Sequence, residues 1–250
     1  MKVRFLGAHN VEAGSLKLPG VLVDDILALD AGSLGSLSIS GQLGLKAILL
    51  THQHYDHLRD LPILGMNLYL NSTSVAVYGL PEAEEILASH LLNGSVYSHF
   101  LDNGTFRYCR IVPEKIIQAE RYDILPVKVN HSVPAIGYEV CTKGHRLFYS
   151  GDTGPGLDCI WERLRPDLII IEVTSPNRWT DFGRKVGHLT PVLLKEELET
   201  FYRLNGYVPP VYTVHANPLA EDVIRTELAK VARQLNCQIT VAHEGLEIGI

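Results

Sequence analysis

Ala47-Ile48-Leu49-Leu50-Thr51-His52-Gln53-His54-Tyr55-Asp56-His57 decides how the rest of the chain is read. A short apolar run of buried-strand length leads directly into a polar cluster. Four side chains able to bind a metal (His52, His54, Asp56 and His57) fall within six residues. Neutral imidazole and carboxylate are natural ligands for zinc, manganese and iron. In extended or turning backbone His52 and His54 project to one side and can share an ion. Asp56 and His57 then turn toward a second position. Without a cation, four such groups packed this closely would repel one another or compete for protons.

Moving outward, the pattern is strands first, then strands alternating with helices. Val3-Arg4-Phe5-Leu6 reads as a strand ending at Gly7, and Val21-Leu22-Val23 and Ile26-Leu27-Ala28-Leu29 flank a hairpin signal at Asp24-Asp25. Pro81 to Leu92 predicts a helix, with Pro at its start, acids in its first turns and Asn93-Gly94 after it. Ile124 to Val129, Leu147-Phe148-Tyr149, Leu168 to Ile171, Val211 to Val214 and Gln238 to Val241 read as strands. Thr190-Pro191 opens a helix that closes near Asn205-Gly206, and Ile224, Leu228, Val231 and Leu235 recur at helical spacing. No internal repeat, low-complexity segment or linker is visible in the residues. Polar clusters follow the strand ends, where loops on a rigid scaffold commonly carry function.

Composition narrows the classes. The 250 residues are 46% hydrophobic and 20% charged, which excludes a disordered, collagen-like or coiled-coil chain. The net charge of −6 argues against a broad basic face for nucleic acid. Four scattered cysteines form neither a disulfide framework nor a zinc knuckle. No apolar run has the roughly 18 residues of a membrane helix, and Met1 to Gly7 is too short and interrupted for a secretory leader. A cytoplasmic protein with no membrane partner is expected.

The segment from His52 to His57 resembles the H-x-H-x-D-H signature of the metallo-β-lactamase superfamily, and the resemblance covers nearly the whole chain. Asp30 in Leu29-Asp30-Ala31-Gly32 is similar to the family's first motif, a carboxylate supporting the loop beside the metals. His131 in His131-Ser132-Val133-Pro134, Asp152 in Ser150-Gly151-Asp152-Thr153 and His215 in Val214-His215-Ala216-Asn217 resemble the later ligand motifs. The resemblance implies two divalent cations, zinc ahead of manganese or iron. His52, His54 and His131 would hold the first, Asp56, His57 and His215 the second, and Asp152 would bridge them. It also implies one α/β domain over residues 1–250, a four-layer αββα sandwich with the site along one edge of two packed sheets.

Within the superfamily, Glu172-Val173-Thr174 followed by Gly187-His188-Leu189-Thr190 resembles the paired motifs of ribonuclease Z and related phosphodiesterases. That likeness gives His188 the role of proton donor to the leaving oxygen, with Asp56 orienting the attacking hydroxide. Leu37, Gln42 and Leu43 before the cluster, and Leu61-Pro62 after it, resemble the class II cyclic nucleotide phosphodiesterases. A metal-dependent phosphodiesterase acting on a small or cyclic nucleotide is therefore expected, with a homodimer as one assembly. A ribonuclease Z-like RNA 3′-end endonuclease is the alternative. Only 20 residues separate His131 from Asp152, which leaves no room there for an RNA-binding arm, and His215-Ala216-Asn217-Pro218 lacks the Ser and Arg often found in that enzyme. A non-catalytic metal- or nucleotide-binding protein and a thioester or β-lactam hydrolase are further alternatives on the same fold. His9, Asn10 and His243 are candidates to line the substrate mouth, set against a polar turn or a structural histidine. Arg178, Arg184 and Lys185 are assigned to a loop leading to His188, and His90, His99 and His145 to structure.

Overall fold

In the computed structural model, which describes residues Met1–Ile250, short apolar runs set the strands. The first half of the chain supplies β1 (Lys2–Gly7), β2 (Gly20–Val23), β3 (Leu27–Leu29), β4 (Ala47–Leu49), β5 (Val75–Gly79) and β6 (Phe106–Arg110). Pairing is antiparallel through β1, β2 and β3, then parallel through β3, β4, β5 and β6. The second half supplies β7 (Ile117–Ala119), β8 (Tyr122–Lys128), β9 (Ile136–Thr142), β10 (His145–Tyr149), β11 (Leu168–Glu172), β12 (Val211–Val214) and β13 (Ile239–Val241). These are antiparallel through β10, then parallel from β10 to β13. A last strand, β14 (Glu247–Gly249), returns to pair with β1, completing two seven-stranded sheets. One plan is thus built twice. The repeat lies in the pairing order and not in the residues, so the sequence did not disclose it.

The hairpin between β2 and β3 turns where the acidic pair predicts it. Asp24 and Asp25 have φ of 48° and 61°, and the Ile26 N–H donates to the Val23 carbonyl at 3.1 Å. This is the primed turn whose twist matches the flanking strands, and aspartate tolerates it better than most residues.

Eight helices cover the outer faces. α1 (Ile39–Gly44), α2 (Tyr55–Leu58), α3 (Leu61–Leu70) and α4 (Pro81–Ile86) come from the first half, α4 continuing as a π-helical turn over Leu87–Leu91. The second half gives α5 (Asp158–Trp161), α6 (Thr180–Val186), α7 (Pro191–Asn205) and α8 (Glu221–Leu235). α7 carries the expected signals, Pro191 in its first turn and Gly206 after its end at φ 77°. One expectation is corrected. Arg178, Arg184 and Lys185 do not lie in a loop: Arg178 is in a 3-10 turn, Asn177–Trp179, and the other two are in α6.

Alternation along each strand divides the core into layers. Leu29, Leu49, Tyr138, Tyr149, Leu168 and Ile170 meet between the sheets. Ala28 and Ile48 face outward onto Leu58, Leu61, Leu64 and Leu68, while Ile169 and Ile171 face Trp161, Leu194, Leu198 and Phe201. The result is an αββα sandwich. Strands covered on both faces read as continuous apolar runs, and each fully buried leucine contributes about 1.5–3 kcal/mol. No helix is long and apolar enough to cross a membrane. The polar clusters that follow β3, β4, β10, β11 and β12 meet at one edge, as ligand sites in parallel α/β sheets commonly do.

Candidate metal centre

Asp30 follows β3, and Thr51 and His52 follow the parallel neighbour β4. The register therefore sets them side by side, with the Asp30 N–H donating to the Leu49 carbonyl at 2.9 Å. Asp30 is fully buried in the left-handed region at φ 61°. Its carboxylate accepts from the Thr51 N–H at 2.8 Å, from the Thr51 hydroxyl at 3.0 Å, from the Tyr149 hydroxyl at 2.8 Å and from His57 Nδ1 at 2.7 Å. That last bond fixes the tautomer of His57 and turns Nε2 toward the cluster.

Two groups of ligand atoms gather around Asp152. His52, His54, His131 and Asp152 form one, and Asp56, His57, Asp152 and His215 form the other, with all atoms of each group within 4.8 Å of one another. His57 Nε2 is 3.2 Å from Asp152 Oδ1, and His215 Nε2 is 3.4 Å from Asp152 Oδ2. His131 Nδ1 donates to the Gly187 carbonyl at 2.9 Å, which aims its Nε2 at His54 Nδ1, 3.2 Å away. His215 Nδ1 meets the Thr174 hydroxyl at 2.7 Å, leaving Nε2 3.2 Å from Asp56 Oδ2. The backbone brings these groups close by accepting unusual conformations. Gly151, just before Asp152, has φ 59°, and a Cβ there would come within 2.6 Å of Thr51 Cγ2. His215 itself has φ 66°.

The donor set fits divalent cations. His52 Nε2, His57 Nε2 and Asp152 Oδ1 are buried and have no hydrogen-bond partner. Although His57 Nε2 and Asp152 Oδ1 lie 3.2 Å apart, their alignment is not that of a hydrogen bond. Buried polar atoms left this way are costly unless something converges on them. Electrostatics accompany the geometry. Burial, reinforced by His57, drives the His52 pKa well below its ordinary value, favouring the neutral ring a metal needs. Burial opposes ionisation of Asp152, but His215 and His57 overcome it and hold that carboxyl well below the usual range.

A second polar arrangement adjoins the first. Glu172 ends β11 fully buried. It accepts from the Thr153 N–H at 3.0 Å, the Leu189 N–H at 3.2 Å and the Thr174 hydroxyl at 2.7 Å, and its Oε1 lies 2.6 Å from His188 Nδ1. Glu172, His188 and His215 are also close enough to be a metal group, but the glutamate oxygens already accept from these donors. Burial lowers the His188 pKa, yet the Glu172 charge outweighs it and raises the ring to about 9. Gly187, at φ 76°, closes α6 against His131, where a Cβ would lie 2.7 Å from His131 Cα.

The residues expected at the substrate mouth fare differently. His9 is corrected: it is 1% exposed, with Nδ1 2.8 Å from Glu244 Oε1 and Nε2 3.2 Å from Glu221 Oε2. Its ring ties the first loop to the end of the chain instead of facing substrate. His243 is not drawn into the cluster. It is exposed, its Nδ1 meets the Glu244 carbonyl at 3.0 Å, and its neighbour Glu244 turns inward in its place. Asn10 does line a cavity beside His188, with Thr174, Arg178, Trp179, Phe182, Asn217 and Leu219. Sequence reasoning missed the supporting roles of Thr51, Tyr149 and Thr174, which lie next to the motifs and are visible only once the register is known.

A family described as beta-lactamase superfamily domain matches residues 36–215. Ribonuclease Z of Pyrococcus abyssi is 30% identical over 143 residues, covering 55% of this chain and 44% of that protein. Ribonuclease Z of Pyrococcus furiosus is 27% identical over 156 residues, covering 58% of this chain and 50% of that protein. The matched region is thus about half the length of these relatives. Among solved structures, unliganded yeast PDE1 superposes with a TM-score of 0.84 at 17% identity, covering 100% of this chain and 99% of that one. Human tRNase Z, short form, gives 0.75 at 19% identity, with coverage of 100% and 99%. At those identities the structural likeness speaks for the fold alone.

Proposed function

The chain belongs to the beta-lactamase superfamily, and from that premise we propose that it is a two-metal phosphodiesterase acting on a small or cyclic nucleotide. The observation that carries this assignment is the Glu172–His188 pair, 2.6 Å between Oε1 and Nδ1, set against the seven-donor cluster. A thioester releases a thiolate and needs no proton donor of this kind beside the metals, whereas an alkoxide leaving group does.

His52, His54 and His131 would hold one cation and Asp56, His57 and His215 the other, with Asp152 shared between them. Zinc suits the nitrogen and oxygen donors best, and manganese or iron can use them too. When bound, such cations would acidify water at neutral pH and neutralise charge on the phosphoryl oxygens. Asp56 would accept a hydrogen bond from the attacking water and orient it in line with the departing oxygen. Asp30 keeps His57 in one tautomer, and Thr174 does the same for His215. His188, its Nδ1 held by Glu172, would deliver a proton from Nε2 to the departing ribose oxygen. Glu172 itself, held by two backbone N–H groups and the Thr174 hydroxyl, keeps that ring in place.

A second reading, RNA 3′-end processing, is favoured by one observation: the Pyrococcus relatives are named ribonuclease Z. Against it stand the net charge of −6 and the short span between His131 and Asp152. Product analysis separates the two. Metal-reconstituted protein is incubated with 3′,5′-cyclic AMP and, separately, with precursor transfer RNA, and His54→Ala serves as control. Release of AMP that is lost in the variant supports the nucleotide assignment. Cleavage of the RNA alone, with no AMP, overturns it.

A further inference from the structure

A cavity of about 550 Å³ opens beside His188 and is not used by the chemistry described above. Its lining is mixed, with Trp179 and Phe182, ring centroids 5.9 Å apart at 76°, and Pro176, Val186 and Leu219 beside polar residues that include Ser175 and Asn217. Three of these are costly where they stand. Trp179 is 48% exposed, Phe182 53% and Leu219 96%. Large apolar side chains exposed singly need no explanation, but three around one hollow mark a binding surface. Among the polar residues of the lining is Asn10. Its Oδ1 is buried and has no hydrogen-bond partner, although its backbone N–H is engaged with the Ala216 carbonyl at 3.3 Å. The residue is held there by its backbone while the side-chain oxygen is left without a donor. Arg178 lines the same cavity and supplies positive charge for an anionic ligand.

We propose that this cavity holds the nucleobase of the nucleotide whose oxygen leaves, laid against Trp179 and Phe182 with its polar edge on the Asn10 amide. The chemistry of the lining selects a base. A flat ring stacks on aromatic side chains. A side-chain amide carries a donor and an acceptor that match the paired donor and acceptor of a base edge, as Asn does with adenine, and Oδ1, closed to solvent here, must turn toward the base to accept from it. A lipid tail would fill the apolar walls and leave Asn10 unsatisfied. The position beside His188 puts the base on the same side as the departing oxygen. That last step rests on the phosphodiesterase assignment; occupation of the cavity by a base does not.

Trp179 is itself the probe. The chain has two tryptophans, and the other, Trp161, is fully buried with its Nε1 donating to Glu197 at 2.8 Å. The metal-loaded full chain is titrated with AMP, with ribose 5-phosphate and with a short RNA trinucleotide while tryptophan emission is followed. Saturable quenching by AMP is expected, absent with ribose 5-phosphate and absent in Trp179→Phe. Phe182→Ala and Asn10→Ala should each weaken AMP binding about tenfold, within the range of base stacking and hydrogen-bonded base readout. Tighter quenching by the trinucleotide would support the pocket and identify RNA as the source of the base, and tighter quenching by AMP would do so for a mononucleotide. Equal responses to AMP and ribose 5-phosphate, or unchanged AMP affinity in both Phe182→Ala and Asn10→Ala, would overturn the proposal. Turnover of bis(p-nitrophenyl) phosphate is read in the same samples. Turnover with no base-dependent quenching overturns the pocket and leaves the phosphodiesterase assignment standing. Base-dependent quenching without turnover supports the pocket and overturns that assignment.

Discussion

The hydroxyl of Tyr149, on one sheet, donates to Asp30 Oδ2, on the other, at 2.8 Å across 119 residues of sequence. The bond crosses the middle of the sandwich at the edge where the metal-competent side chains gather. Asp30 accepts from the Thr51 N–H, the Thr51 hydroxyl and His57 Nδ1 as well. Asp30→Asn would place an NH2 group against these donors and release His57 from one tautomer. Metal affinity should fall about 10–100-fold, the usual consequence of losing a partner behind a ligand. Tyr149→Phe removes one donor of the set and should cost about 1 kcal/mol of stability with little change in metal affinity. Competition with a chelating dye, set beside urea unfolding, measures both. Equal metal affinity in Asp30→Asn and the parent would remove Asp30 from the support of the site.

His188→Ala should lower kcat by about 10²–10⁴ on a diester with a ribose oxygen as leaving group, the range typical of a lost general acid. The same variant should lose far less on bis(p-nitrophenyl) phosphate, because p-nitrophenolate departs without a proton. Glu172→Gln should follow the same pattern at smaller magnitude, since it keeps the shape but loses the charge beside Nδ1. If both substrates slow equally, His188 is holding the site together and not donating a proton.

Much of this site was legible because its centre is local. His52, His54, Asp56 and His57 need only one strand end and one short helix to converge, so their spacing alone points to metals. The apolar runs of β11 and β12 were equally readable, since strands buried on both faces show no polar alternation. What escaped was set by long-range packing. α3 has Pro62 in its first turn and apolar residues on several faces, so no helical stripe stands out. The edge strand β6, Phe106–Arg110, sets Arg107, Cys109 and Arg110 against only two aromatics, Phe106 and Tyr108. His243 and Glu244 differ by one position after β13, and only the register decides that the glutamate turns inward to His9. The cavity beside His188 joins Asn10, Trp179 and Leu219, which are too far apart in sequence for spacing to relate them.

The inward turn of Glu244 has a pH signature. Burial pushes its carboxyl up, but His9 and the Lys17 N–H overcome this and hold it at about 2, below its ordinary 4.5. Burial pushes His9 down, but Glu244 and Glu221 overcome it and raise that ring above its ordinary 6.5. The depressed carboxylate contributes stability that is complete above pH 4.5 and is lost as pH falls toward about 2. The raised imidazole contributes stability that is complete below pH 6.5 and is lost as pH rises through its folded value. Glu244→Gln should therefore cost most between pH 4.5 and 6.5 and progressively less on either side. Thermal melts of both proteins from pH 3 to 9 test this, and a difference independent of pH would show that the pair acts by packing alone.

Gly187 links the metal-competent cluster to His188. Its carbonyl accepts from His131 Nδ1 at 2.9 Å, so it fixes which nitrogen of that ring faces the cluster. The residue after it is His188. Its φ of 76° belongs to the region where a side chain is strained, and a Cβ would sit 2.7 Å from His131 Cα and 3.1 Å from the Asn130 carbonyl oxygen. These are backbone atoms, so no rotamer change relieves the clash. Gly187→Ala should destabilise the fold by more than about 1 kcal/mol, the usual scale when alanine is forced into positive φ. It should also lower metal content and slow ribose-leaving diesters together, because His131 and His188 must both move. His131→Ala should lose metal while keeping Glu172 against His188, and His188→Ala should lose the proton donor while keeping metal. Metal analysis and the two-substrate rate comparison on the three variants separate these effects. A Gly187→Ala protein that binds metal normally and cleaves both substrates at the parent rate would show that the close approach of α6 to His131 is dispensable.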